Sequence, residues 1–478
     1  MMSRLHKTST SYLCRRGPRL DAKLVALGSW NNPPSRRVAT QTLAKARNEE
    51  VQAPPPHSLL PTPMLLRSLL VATVSNNRAL LTPSLSLLSF FAKPRSGLLS
   101  VEKNPLLHFL FKRTLYDHFC AGENGKEVTG TINRIKDMGF KGVILTYAKE
   151  VVVDSSQGGG SSIQGSAEIA ADAIDVAEDS AIEAWRQGVL ETVQMIGEGD
   201  FLALKFTGAG KSVTDALISG DALPSQMTRA IHEICNETLK RRASVLVDAE
   251  QQFVQHSIDK VALDLMEKYN IDGHATVYNT YQAYLKSTPD TLYKHLQLAK
   301  KNNYTIGVKL VRGAYINTEP RHLINDTKEV TDDSYDLMAR SLLETDYRDL
   351  KRASDGKGFP KLGLFLATHN KASVLKAFEL QKSRTEAGLP LTKVQYGQLL
   401  GMADEVSCTL LQLGGKGSEG AASTPPEAYK CLSWGTLGDC LSYLLRRAVE
   451  NRDAVSRTKT EYEALKKEAW RRFCSIFA

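Results

Sequence analysis

From about residue 140 onward, short runs of β-branched, aromatic and aliphatic residues alternate with longer segments of helical period, and Gly, Asp or Asn mark the turns between them. Eight runs stand out: GVILTYA (142–148), FLALKFTG (201–208), SVLVDAE (244–250), HATVYNTYQ (274–282), TIGVKLVRG (305–313), LGLFLATHN (362–370), KVQYGQ (393–398) and AYKCLSW (428–434). Near-continuous apolar runs suit strands buried on both faces. Eight of them, each followed by a helical segment, predict an α/β fold: a (β/α)8 TIM-like barrel over 141–452.

The flanks read differently. Residues 58–92 are apolar but are broken by Pro61, Pro63, Arg67, Asn76, Asn77, Arg78 and Pro83. No run approaches the roughly 20 residues that a spanning helix needs, so an N-terminal helical arm packing on the barrel is expected over 58–140. Residues 155–180 begin as a Gly/Ser linker and end acidic, which predicts a flexible, exposed insertion after the first strand; 414–427 is a second flexible loop. A basic amphipathic C-terminal helix is expected over 453–478, either as a cover for the barrel floor or as a peripheral membrane contact.

Composition narrows the choices. With 42% hydrophobic and 24% charged residues, the 478-residue chain has ample material for a core. Its net charge of +9 resides in residues 1–48, where ten Lys and Arg face Asp21 alone; the remainder carries 51 basic and 51 acidic residues. The basic footprint of a nucleic-acid binder is therefore missing, and no nucleic-acid partner is expected. The Arg-rich, acid-poor start matches a mitochondrial presequence, with a disordered basic tail as the plainer alternative. Seven cysteines show no CxxC and no metal-like spacing with the ten histidines, so reduced core thiols and no metal are expected.

Barrel active sites lie at the C-terminal strand ends. Lys205, Asp248, Gln282, Lys309, Arg312, Thr368, His369 and Asn370 all fall there. In KLVRGAYI (309–316) a cation ends an otherwise apolar strand, where a charge has no cheap place. In YLLRRAVEN (443–451), Tyr443, Arg446, Arg447 and Glu450 share one helix face, opposite Leu441, Leu444, Leu445 and Ala448. Periodicity alone fits a solvated outer surface. Two adjacent arginines can instead grip a carboxylate, with Glu450 neutralising excess charge.

KLVRGAY, ATHN, YGQLLGMAD and YLLRRAVEN occur in this order, with VDAE and TYQAYLK ahead of them. On these motifs the chain resembles the FAD-dependent proline dehydrogenase family from about residue 116 to Asn451, and its basic start is similar to that of mitochondrial members. The resemblance implies a barrel holding FAD without a Rossmann turn. It also implies oxidation of L-proline to Δ1-pyrroline-5-carboxylate, with electrons passed to a membrane quinone. Arg446 and Arg447 would bind the substrate carboxylate and Glu450 would orient them, while Lys205, Asp248, Leu399 and Tyr443 match other substrate-pocket positions. Gln282, Lys309, Val311, Gly313, Ala314, Thr368 and His369 match flavin contacts, with Lys309 near the N5 and N1/O2 edge, where a cation stabilises the reduced ring. Hydride transfer from the carbon beside nitrogen needs neither metal nor covalent nucleophile.

Two departures from the family pattern stand out. Lys309 replaces an arginine common in bacterial relatives, leaving a point charge in place of a planar fork. Cys431 stands where many relatives place a tyrosine against the substrate ring, with Tyr429 or Trp434 as candidates to fill the gap. Oxidation of 4-hydroxyproline or another cyclic amino acid is the rival reading within enzymes, and a flavin-free binding or regulatory barrel the rival outside them. A methylenetetrahydrofolate reductase-type barrel is disfavoured, because the Tyr/Arg/Arg/Glu face suits a small amino acid better than a folate.

Overall fold

Among the described residues of the computed structural model, ten strands form: β1 (Gly142–Tyr147), β2 (Phe201–Leu204), β3 (Ser244–Val247), β4 (Val277–Gln282), β5 (Ile306–Val311), β6 (Asp346–Tyr347), β7 (Leu350–Lys351), β8 (Leu362–Ala367), β9 (Val394–Leu399) and β10 (Glu427–Trp434). Eight are parallel and close into a barrel in the order β1-β2-β3-β4-β5-β8-β9-β10, with β10 pairing back on β1. The antiparallel hairpin β6–β7 stands apart. The structure describes residues 54–92, 99–148, 178–352, 357–415, 425–453 and 455–477. The basic segment 1–48, residues 155–177 of the acidic insertion and residues 416–424 of the second loop lie outside the described residues.

Strand alternation sorts the side chains into two sets. Val143, Leu145, Leu202, Val245, Val308, Leu310, Leu364, Leu366 and Leu432 point outward into the main core beneath the helices. Phe201, Tyr278, Phe365 and Tyr429 point inward, one from every second barrel strand, and form an aromatic layer. Phe201 meets the other three rings edge-on, at centroid distances of 5.7, 5.2 and 5.2 Å. One step further along the same strands the inward residues shrink to Ala203, Thr280, Ala367 and Cys431. Packing is therefore dense low in the barrel and sparse towards its mouth.

Most of the expected strands extend beyond the observed ones. β2 ends at Leu204, where the chain turns into a 3-10 segment at Thr207–Ala209, and β3 ends at Val247. β5 and β8 stop at Val311 and Ala367. The overrun has one cause: the polar residues after each strand still read as β-forming, but the chain has already left the ladder to form the mouth.

Helices Thr62–Asn76 and Arg78–Ala92 precede the barrel. Pro61 and Pro63 stand at the start of the first, where a missing N–H costs nothing. Leu88, Phe91, Phe111, Tyr116 and Phe119 form a second core with Leu437, Cys440, Leu441 and Leu444 of the helix Leu437–Asp453. The last helix, Val455–Cys474, lies along Thr62–Asn76: Arg472 donates to the carbonyls of His57, Ser58 and Leu60, and Leu465 packs with Leu60 and Leu65. It therefore covers the arm and not the barrel floor. No described helix is long and apolar enough to cross a membrane.

Candidate active site at the barrel mouth

Alternation also decides which strand-end residues face the barrel axis. In β5, Ile306, Val308 and Leu310 belong to the outer core, so Lys309 and Val311 point inward and Arg312 outward. Lys309 is 9% exposed and donates to Asp248 Oδ1 at 2.5 Å. This ion pair answers how a cation is tolerated there: the carboxylate just past β3 neutralises it. Arg312 instead donates to Asp332, Thr368 and Ser373 behind the barrel wall.

Lys205 and Leu399 fall on the inward alternation of their strands, as does His369 beyond β8. The Leu399 amide donates to His369 Nε2 at 3.1 Å, tying the β9 end to the ATHN turn. Gln282 is buried; its Nε2 donates to the Glu250 carbonyl at 3.3 Å and its Oε1 accepts from the Ala314 amide at 3.2 Å. Gly313 has φ of +146°, and a Cβ there would fall 1.9 Å from the Tyr284 ring, so no side chain fits. Thr368 points the other way and accepts from Arg312.

The helix Leu437–Asp453 reaches the same mouth. Tyr443 and Arg447 are only 5% and 6% exposed, which excludes a solvated outer face for them. The Arg447 guanidinium lies 5.0 Å from the centre of the Tyr443 ring. Because Leu441 and Leu444 on the opposite side are also buried against the arm, the helix is enclosed on both faces. Arg446 is half-buried on the next position, and the side chain of Glu450 lies outside the described residues.

The Cys431 thiol sits among these groups. Burial pushes it up to about 11, while Lys309, Arg447 and Lys205 pull it down and Asp248 pushes it up. One sulfur therefore feels charges from β2, β3, β5 and the helix Leu437–Asp453. Burial likewise raises the Tyr443 hydroxyl, against the Arg447 charge, which pulls it down. Neither candidate for the missing aromatic wall reaches this spot. Tyr429 is one inward step lower, within the aromatic layer, and Trp434 points outward and donates to Thr192 at 2.8 Å.

Glu250, to which the sequence reading gave no role, holds the turn after Lys205. Its carboxylate accepts from the amides of Phe206 (2.8 Å) and Thr207 (3.2 Å) and from the Thr207 hydroxyl. Burial raises its pKa, and these donors with the Lys205 charge oppose the rise. Its place within VDAE was the available signal.

This constellation has counterparts. A family model described as proline dehydrogenase matches residues 128–460. The probable mitochondrial proline dehydrogenase of Schizosaccharomyces pombe is 34% identical over 250 residues, covering 50% of this chain and 48% of that protein. The chain thus aligns with only about half of that relative's length. The hydroxyproline dehydrogenase of Rattus norvegicus is 27% identical over 396 residues, 76% of this chain and 82% of the relative. Among solved structures, proline utilization A from Bdellovibrio bacteriovorus, inactivated by N-propargylglycine, superposes with a TM-score of 0.61 at 15% identity, over 91% of this chain and 44% of that one. At that identity the match concerns the fold alone. With the matched region spanning the whole barrel and the mouth-facing helix, the chain belongs to the proline dehydrogenase family.

Proposed function

We propose that this chain oxidises L-proline to Δ1-pyrroline-5-carboxylate with FAD held at the barrel mouth. The observation that carries the reading is the convergence of Lys205, Asp248, Lys309 and Arg447 around Cys431, above an aromatic floor. The residues present fit a flavin. Short inward side chains at Ala203, Ala367 and Cys431 leave room for a flat ring system, Lys309 supplies a cation at its edge, and the Gln282–Ala314 contact and the ATHN turn line the rim. Bound there, FAD would accept the hydride from the carbon beside the substrate nitrogen.

The chain's own residues do the rest. Arg446 and Arg447 bind the substrate carboxylate, with Glu450 to orient them, and the Tyr443 ring supports the Arg447 guanidinium from below. Asp248 keeps Lys309 from being an uncompensated buried charge, so that the ammonium is held in place before substrate arrives. The arm behind the helix Leu437–Asp453 excludes water from that side.

A second reading is favoured at one position. Cys431 leaves the substrate wall open where a 4-hydroxyl projects, and the rat relative that aligns over most of its length is named a hydroxyproline dehydrogenase. Trans-4-hydroxy-L-proline is therefore a competing substrate. Mitochondrial residence is supported by the basic first 48 residues and by the name of the yeast relative. A quinone acceptor at the inner membrane accords with the exposed Trp470, Phe473, Ile476 and Phe477 at the end of the last helix. Dye reduction by the purified protein with L-proline, trans-4-hydroxy-L-proline and D-proline, side by side, tests the assignment. Activity with neither L-amino acid would overturn it.

A further inference from the structure

Arg312 lies one residue beyond β5, between Val311 and the Gly313–Ala314 pair, yet its side chain turns away from the barrel axis. There it is fully engaged. Nε donates to Asp332 Oδ1 at 2.6 Å, Nη1 to Thr368 Oγ1 at 2.6 Å and Nη2 to Ser373 Oγ at 2.9 Å. Its guanidinium carbon lies 4.4 Å from the centre of the Tyr335 ring, a stacking distance. The partners are themselves anchored: Asp332 also takes Lys328, and Asp336 takes Ser373 and Lys376.

The consequence lies in what this fork joins. Thr368 Oγ1 accepts from Arg312 and from the Asn370 amide (3.1 Å), and Asn370 in turn caps the helix Lys371–Glu386 through the Ser373 amide. From the other side, Gln398 donates to the Thr368 carbonyl and Leu399 to His369. The loop after β8 is thus fixed between β5 and β9, and its only tie to the β5 end among these contacts is Arg312. In the proposed function the Gln282–Ala314 contact, just past Arg312, lines one side of the flavin cradle, and the ATHN turn, with His369 and the backbone of Thr368, lines the other.

We propose that Arg312 is a positioning residue that locks these two loops into a preformed flavin cradle from behind, without touching the cofactor itself. The inference rests on the flavin reading given above. Lysine cannot replace the fork: one ammonium can keep the Asp332 contact but not Thr368, Ser373 and the Tyr335 stack together.

The test follows release of FAD from the holoprotein on dilution, by recovery of flavin fluorescence, in wild type, Arg312→Lys, Asp332→Asn and Ser373→Ala, with melting temperature as a parallel readout. Arg312→Lys is expected to speed release about tenfold to a hundredfold, and Ser373→Ala, which removes one neutral contact, by a few fold. A purely structural role would lower the melting temperature while leaving FAD release unchanged, and that result overturns the proposal. If Arg312→Lys does not fold, unchanged release in both milder variants overturns it equally. A wild-type protein that binds no FAD removes the flavin reading itself, whereas a yellow wild type with unaltered release in the variants removes only the role of Arg312.

Discussion

Replacing Asp404 by Asn strands a buried ammonium. Lys430 points outward from β10 and is 1% exposed; its Nζ donates to Asp404 Oδ1 at 2.8 Å and to the carbonyls of Met402 (3.2 Å) and Leu399 (3.4 Å). The other Asp404 oxygen accepts from Ser68 of the arm, and the Asp404 amide donates to Glu461 of the last helix. The carboxylate therefore joins barrel and arm, and the backbone of the same residue reaches the terminal helix. Asparagine keeps the shape and the Ser68 contact but removes the charge. Breaking a buried pair costs about 3–5 kcal/mol, and the two remaining carbonyls place this case near the low end, at about 3 kcal/mol. With an unfolding entropy of about 2.1 cal/mol/K per residue over a chain of this size, that corresponds to a fall in Tm of roughly 3–4 °C. Differential scanning calorimetry of Asp404→Asn measures it. The double variant Asp404→Leu/Lys430→Met, which leaves no orphaned charge, is expected to recover most of the loss. A Tm within 1 °C of wild type for Asp404→Asn would refute the view that this carboxylate offsets the burial of Lys430.

Acid destabilises the fold through its buried histidines, His118 among them. Burial holds this ring down to about 4, so between there and its ordinary value near 6.5 the unfolded chain binds a proton that the folded one refuses, and stability falls as pH drops. From pH 7.5 to 5 the loss from this group is about 2 kcal/mol; a His118→Asn variant with an undiminished pH slope of Tm would contradict it. Arg446→Lys keeps charge but loses the fork, and KM for proline is expected to rise about tenfold to a hundredfold with flavin content unchanged, as steady-state kinetics on the yellow variant would show. Cys431→Tyr places a ring at the proposed substrate wall. It is expected to raise the ratio of kcat/KM for proline over trans-4-hydroxy-L-proline at least severalfold; an unchanged ratio in an active variant would mean that position 431 does not line the substrate site.

The barrel was legible because most of its strands carry near-continuous runs of apolar and β-forming residues, and because period-two alternation carries Lys205, Asp248, Gln282, Lys309, Val311, His369, Leu399 and Cys431 to one interior. The same alternation set Arg312 and Trp434 facing outward, information that a list of polar strand ends does not contain. The hairpin β6–β7 was missed because strands of two residues have no period to detect. The burial of Tyr443 and Arg447 was not readable from their helix, since both faces of YLLRRAVEN are amphipathic enough for a surface; it depends on the arm more than 300 residues earlier in the chain. The Lys430–Asp404 pair was hidden for a similar reason: a lysine within an apolar strand looks like an interruption until the loop after β9 brings its partner.

The decisive measurement is the anaerobic visible spectrum of protein lacking residues 1–48, before and after addition of L-proline. A yellow protein that releases FAD on denaturation, and whose flavin absorbance bleaches with L-proline but not with D-proline, is the predicted result. A colourless protein that added FAD does not reconstitute, or a bound flavin that neither L-proline nor trans-4-hydroxy-L-proline reduces, would contradict it.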